Sequence, residues 1–144
     1  MTDDLRDTVV SRLHGVHQRL TPNREAIIDI LATTSRPLTI PEVLDARDGL
    51  AQSSVYRNLV VLVEAGVVHR IVTNDEFARF ELAEDLVGHH HHLICSVCGM
   101  VEDVPPNARL EQSLRHAVAQ IADATGFHTH AHRIDLVGLC RRCA

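Results

Sequence analysis

His89-His90-His91-His92-Leu93-Ile94-Cys95-Ser96-Val97-Cys98-Gly99 (residues 89–99) puts four imidazoles and a Cys-x-x-Cys-Gly knuckle on one short segment. The apolar, β-branched middle of that segment predicts a strand over about His90 to Cys95, and side chains of a strand alternate between its faces. His90 and His92 then point one way and His89 and His91 the other, so one run serves two sites. It lies mid-chain, between Val87-Gly88 and Leu93-Ile94, and belongs to the fold rather than to a purification tag.

The knuckle repeats at Cys140-Arg141-Arg142-Cys143, with 41 residues between the two, and these are the only four cysteines. Four thiolates suit a closed tetrahedral zinc site with no position left for water, which is a structural role. The long separation exceeds a compact zinc ribbon, so the metal is expected to clasp the C-terminal tail to the first hairpin of a second domain. A pair of redox disulfides is the competing reading; it lacks the βαβ context of a thioredoxin-like motif.

Each histidine face needs partners from elsewhere. For His90 and His92 the candidates are Glu81 at the end of a predicted hairpin and His69 at its beginning, which would bridge two domains. For His89 and His91 they are His132 and Glu111, with Glu102 and Asp103 competing for the place of Glu111. The bland alternative is a solvated polyhistidine strand that picks up metal adventitiously.

Upstream, short helices are legible from their punctuation. An amphipathic segment runs from about Leu5 to His17. Thr21-Pro22 offers an N-cap with proline at the first helical position, followed by Ile27, Ile28, Ile30 and Leu31 on helical spacing. Thr39-Ile40-Pro41-Glu42 has capping-box form, and a further helix runs from about Ser53 to Ala65, closed by Gly66. Val67 to Thr73 and Phe77 to Leu82, around a polar turn at Asn74-Asp75-Glu76, read as a hairpin. Together these predict a winged helix-turn-helix over 1–82, with a polar hinge at 83–88. Residues 89–144 read as strand, strand (Met100 to Val104), a helix over about Asn107 to Ala124 with Leu110, Leu114, Ala117, Val118 and Ile121 on one stripe, and a last strand over His128 to Leu136. His128, His130 and His132 would share a face of that strand.

On the Ser53–Ala65 helix, Val55, Leu59 and Leu62 line one side, while Ser54, Arg57 and Val61 point the opposite way, flanked by Ser53 and Tyr56. Hydroxyls at a helix start followed by arginine suit a DNA-reading helix: phosphate sits near the N-terminus and arginine reads guanine. Arg19 and Arg24, around the preceding helix start, are placed to reach phosphates or a narrow minor groove.

The 144 residues (16.0 kDa, 45% hydrophobic) exclude a large multidomain enzyme. With no signal segment and no apolar stretch long enough for a bilayer, a cytoplasmic protein without membrane partners is expected. The formal charge of -5 opposes DNA binding. The acidity gathers in the second half, however: 1–70 holds 8 Arg against 9 acids, 71–144 holds 6 against 10.

Thr21-Pro22-Asn23-Arg24, Ser54-Val55-Tyr56-Arg57-Asn58-Leu59, Glu64-Ala65-Gly66, Phe80-Glu81-Leu82, the histidine run with Cys95-x-x-Cys98-Gly99, and Cys140-x-x-Cys143 together resemble the ferric uptake regulator (Fur) superfamily of bacterial metal sensors. The resemblance covers nearly the whole chain. It implies an α+β protein, an N-terminal winged helix-turn-helix followed by a small α/β dimerisation domain with a four-cysteine zinc site. It also implies a homodimer, promoter DNA as partner, and no small-molecule substrate. Cys95, Cys98, Cys140 and Cys143 would hold structural Zn2+. Glu81, His90 and His92, with His69, would form a hinge sensory site, and His89, His91, Glu111 and His132 a second-domain site. Arg19, Arg24, Ser53, Ser54, Tyr56 and Arg57 would face DNA. Iron-type members carry a histidine where this chain has Pro37, and zinc-type members often a cysteine where it has Ala83. The regulatory ion is therefore expected to be Zn2+ or Fe2+, with zinc preferred on histidine richness. A peroxide-sensing member, a metal buffer and a metallohydrolase are the rival functions. Since ligating histidines must be neutral, metal response is expected to weaken below roughly pH 6.5.

Overall fold

Apolar residues at i, i+3, i+4 spacing in the first half find one another across three helices. In the computed structural model, which describes residues 1–73 and 75–144, α1 (Asp3–Gly15), α2 (Pro22–Ala32) and α4 (Gln52–Glu64) enclose Val9, Leu13, Ile27, Ile28, Val55, Leu59 and Leu62, all fully buried. Each such aliphatic side chain contributes about 1.5–3 kcal/mol by leaving water. Thr21 caps α2 through its hydroxyl, and the capping box of α3 (Ile40–Ala46) is complete: Thr39 Oγ1 accepts from the Glu42 N–H while Glu42 Oε2 accepts from the Thr39 N–H at 2.8 Å. The hairpin of β2 (Val68–Val72) and β3 (Ala78–Leu82) pairs antiparallel with His69 opposite Glu81. The Asn74 position of its expected turn lies outside the described residues. A two-residue β1 (Leu38–Thr39), not foreseen, adds to the other edge of β3, giving the order β1-β3-β2.

The expected hinge contains a single helical turn, α5 (Glu84–Val87). After it β4 (His91–Cys95) forms the centre of a second sheet, antiparallel to β5 (Val101–Val104) and parallel to β6 (Asp135–Gly138), in the order β5-β4-β6. Between β5 and β6 lies α6 (Ala108–Thr125), capped by the Asn107 carboxamide and ended by Gly126 at φ +71°. The expected strand from His128 to Leu136 is corrected: only 135–138 are extended in a ladder. The physical reason is that β4 begins at His91 and its His92 already faces Asp135, so residues 128–133 have no strand to pair with. Gly99, at φ +71°, turns the knuckle after Cys98, and the Asp75 carboxylate occupies the space a Cβ there would take. Among the described residues no helix is long and apolar enough to cross a membrane.

Candidate metal centres and nucleic-acid face

Three groups of donor atoms converge, each within 4.8 Å of one another: Cys95, Cys98, Cys140 and Cys143; His89, His91, Glu111 and His132; and Glu81, His90, His92 and Asp103.

The first group is set by the β4–β5 turn and the turn after β6. All four cysteines are free thiols, with Cys98 and Cys140 sulfurs 3.8 Å apart. Backbone N–H groups of Cys98, Cys140 and Val97 aim at the Cys95 sulfur and bring its pKa down to about 6, whereas the neighbouring Cys140 sulfur pushes Cys143 up to about 12. Despite some desolvation, backbone N–H groups and neighbouring sulfurs lower Cys140 as well, and four converging sulfurs, two of them already inclined to lose their protons, are a donor set that fits zinc.

The second group lies between β4 and α6. His91 and Glu111 are buried, and His91 Nε2 is 2.5 Å from Glu111 Oε1. His89 Nε2 lies 3.1 Å from the other Glu111 oxygen. His132 Nε2 is 2.9 Å from that same oxygen, yet it is a buried atom without a hydrogen bond. Three imidazoles converging on one buried carboxylate, with His132 Nε2 left without a hydrogen bond, fit a shared cation. Glu111 therefore joins the group, and Glu102, partnered with Leu93 across the ladder, does not.

The third group joins the two sheets. Glu81 on β3 receives His90 Nε2 at 3.1 Å and His92 Nε2 at 3.0 Å. Asp103 completes it, not as a rival to Glu111 but because the β4–β5 register sets it opposite His92. Its Oδ1 is buried without a hydrogen bond, 3.7 Å from His92 Nε2 and 3.9 Å from His90 Nε2. Donors around one ion at ~2 Å stand ~3–4 Å apart, so these spacings suit a common cation. His69 sits at the rim, its Nδ1 3.6 Å from Glu81, outside the four converging donors. With Arg133, Glu81, His90 and His92 it lines a cavity of about 130 Å³. Burial and the charge of Arg133 lower the pKa of His69. Burial works to lower His90 and His92 as well, but hydrogen bonds and charge, those of Glu81 foremost at His92, outweigh it and both are raised; Glu81 is lowered despite its burial.

On α4 the outward face is shifted from the expected one. Val61 packs half-buried against the core, while Tyr56, Arg57, Val60 and Val63 face out. No side chain caps α4, whose N-cap is Ala51. Ser53 and Arg19 are exposed, and Ser54 is half-buried, its hydroxyl accepting from Asn23 and Asn58. Arg24 spends three of its five N–H groups inside the fold: its guanidinium donates to Asn58 Oδ1 (3.0 Å), the Arg19 carbonyl (2.5 Å) and Gln18 Oε1 (2.8 Å). It ties α4 to the loop before α2. Arg24→Ala is therefore expected to lower stability by about 1.5–3 kcal/mol, the range for hydrogen bonds to a charged group, visible as a lower midpoint in urea denaturation.

Compared with known proteins, residues 16–137 match the family model described as "Ferric uptake regulator family". The chain is 31% identical over 144 residues to the ferric uptake regulation protein of Bacillus subtilis, covering 95% of this chain and 93% of that one. It is 30% identical over 132 residues to the peroxide operon regulator of the same bacterium, covering 88% and 84%. Its fold superposes on the Helicobacter pylori ferric uptake regulator with a TM-score of 0.76 at 20% identity, covering 98% of this chain and 92% of that one.

Proposed function

The chain belongs to the ferric uptake regulator family, and from that premise we propose that it is a metal-dependent, DNA-binding transcriptional repressor of metal-homeostasis genes, working as a homodimer. In this reading 1–82 is the DNA reader, 83–88 the hinge and 89–144 the metal-binding and dimerisation domain. The observation that carries it is the cluster of Glu81, from the wing strand, with His90, His92 and Asp103 from the second sheet. A divalent cation bound there supplies the positive charge that lets two carboxylates and two imidazoles face a single point. Glu81 then holds β3 against β4 and β5, which fixes the angle between reader and second sheet, with His69 closing the rim. Such coupling requires tighter metal binding in the DNA-competent arrangement.

Two nitrogens and two oxygens make four donors, the number zinc takes, so Zn2+ is the first assignment for this site and Fe2+ the second. Structural Zn2+ occupies the four cysteines, and His89, His91, Glu111 and His132 hold a further ion. At the reader, Arg19, Ser53, Tyr56 and Arg57 face the duplex, the uncapped start of α4 receives a backbone phosphate, and Ser54 is held in place behind them. Dimerisation through the second domain is supported by apolar residues left uncovered: Leu110 and Ile121 on α6, and Leu136, Val137 and Leu139 on and after β6. A metallohydrolase would instead show activity indifferent to Arg57.

The test is duplex affinity by fluorescence anisotropy, with Zn2+, Fe2+ and Mn2+ titrated separately. A rise with metal, largest for zinc, is expected; affinity indifferent to all three refutes the reading. The similarity to a peroxide operon regulator favours a second reading, in which iron(II) in the same donors is the sensor. Peroxide treatment of the iron-loaded protein would then add an oxygen atom to the peptide carrying His90 and His92.

Because His90 and His92 have raised pKa values, both must shed a proton to bind, and proton competition begins above pH 6.5 rather than below it. Metal affinity is expected to fall by up to about a hundredfold per pH unit once both are protonated. The metal-free protein runs oppositely: its imidazolium–Glu81 pairs stabilise fully below the unfolded pKa and are lost as pH rises through the folded values. The Tm gain on adding zinc should shrink steadily toward acid; a constant gain across this range would contradict proton-linked binding.

A further inference from the structure

The single turn α5 touches three separate parts of the molecule. Its backbone is closed by the Gly88 N–H donating to the Glu84 carbonyl at 2.7 Å. Leu86 packs against the core built by α1, α2 and α4. Asp85 receives both terminal nitrogens of Arg12, whose Nη1 also donates to the Gly66 carbonyl at 2.6 Å. Glu84, one residue away and about 100° around the helix, meets His89 Nδ1 instead. Neither Glu84 nor Asp85 belongs to any group of converging donors.

We propose that Glu84 is a positioning residue for the His89, His91, Glu111 and His132 cluster, and that α5 relays the filling of that cluster to α1 through the Asp85–Arg12 pair. The proposal rests on reading that cluster as a metal site. A carboxylate that accepts the Nδ1–H of His89 fixes the tautomer in which Nε2 carries the lone pair, and Nε2 is the atom turned toward Glu111, 3.1 Å away. Orientation of this kind strengthens a ligand without touching the ion. The second link follows from the length of α5. One isolated turn does not recover the entropy of its own nucleation, so its order depends on what grips it at either side. Leu86 and Arg12 grip it from the reader. His89 grips it through Glu84 only as firmly as His89 is itself held.

A bound cation immobilises His89, and therefore Glu84, and therefore α5. Arg12 is then held at the junction where α1 ends and α4 hands over to β2. The exposed Arg12–Asp85 pair is weak by itself. Its effect is to make α1 and α5 one body when α5 is ordered.

The test uses the full chain with zinc on its cysteines, in a His90→Ala, His92→Ala background that removes the hinge donors, with cobalt(II) absorption reading the second cluster. Glu84→Ala is expected to weaken cobalt binding by about 10–100-fold, and Glu84→Gln, whose amide oxygen still accepts the Nδ1–H, to recover most of it. Asp85→Ala should leave cobalt affinity unchanged. Hydrogen exchange supplies the second reading: cobalt should slow exchange of the Val16 and His17 amides at the end of α1 in the parent and not in Asp85→Ala. Cobalt binding to Glu84→Ala as tight as to the parent would overturn the positioning role. Undiminished protection of α1 in Asp85→Ala would overturn the relay. A parent whose cobalt signal is insensitive to His91→Ala would instead overturn the metal-site reading beneath both.

Discussion

Replacing His90 and His92 together by alanine is expected to abolish the metal dependence of DNA binding while sparing the metal-free affinity. Both imidazoles converge on Glu81, and they are the donors by which the second sheet reaches the wing strand with a neutral ligand. Without them, Glu81 and Asp103 remain as two carboxylates facing each other, and the burial and Glu81 charge that already raise the Asp103 pKa act unopposed. A cation would then meet too few donors to discriminate between arrangements of the two sheets. Allosteric coupling of the usual size, about 1–3 kcal/mol, corresponds to a gain of about 5–150-fold in duplex affinity on adding metal. The double variant should reduce that gain to about onefold, since equal affinity for both arrangements shifts nothing. The control is His128→Ala, because His128 is exposed and outside every group of converging donors. Anisotropy titrations of both variants against the same duplex decide it: a double variant that keeps the parent's gain removes the hinge cluster from the mechanism.

How much of this was legible beforehand follows from which interactions are local. The alternation of a strand separates His89 and His91 from His90 and His92, and it holds even though ladder pairing begins only at His91, because extended backbone alternates with or without a partner. Capping at Thr21 and Thr39 is likewise local, a side chain reaching three residues along its own chain. Asp103 could be placed only with the register of β4 on β5, which a tight turn sets and composition does not reveal. On α4 Val60 and Val61 flank the arc set by Leu59 and Leu62 about equally, each about 100° from the nearer leucine, so periodicity alone could not tell that Val61 packs against the core while Val60 is exposed. Arg24 shows the limit for charged residues. An arginine beside a reading helix looks the same in sequence whether it grips phosphate or, as here, braces Asn58 and Gln18. The missing strand at 128–133 failed for a topological reason, since alternation in a sequence needs a neighbour in space before it becomes a ladder.

Cys95→Ser, with Cys98→Ser as its companion, is expected to do more damage than any other single replacement in the second half of the chain. The reason lies in how little else secures β6. That strand is at the sheet edge, all four of its residues are exposed, and its Leu136 and Val137 bury little against the remainder. Its attachment consists of the parallel ladder to β4, the Ser96 contacts with the Gly138 carbonyl at 2.8 and 3.2 Å, and the turn that carries Cys140 and Cys143 toward Cys95. Structural zinc in small domains contributes about 10–16 kcal/mol of apparent binding free energy that is also folding free energy, more than the whole stability of many domains. Losing one thiolate should release the ion, free β6 from β4, and carry Asp135 away from His92 and His132 away from Glu111, so both histidine groups loosen in turn. The first half has its own core in Ile27, Ile28, Val55, Leu59 and Leu62 and should stay folded. Elemental analysis is expected to show one zinc fewer per chain. Hydrogen exchange should show β4 and β6 amides unprotected while α2 and α4 keep their protection, and sedimentation should show loss of the proposed dimer. Protection of β6 that survives either serine replacement would mean that the ladder, not the cysteine clasp, holds the second sheet together.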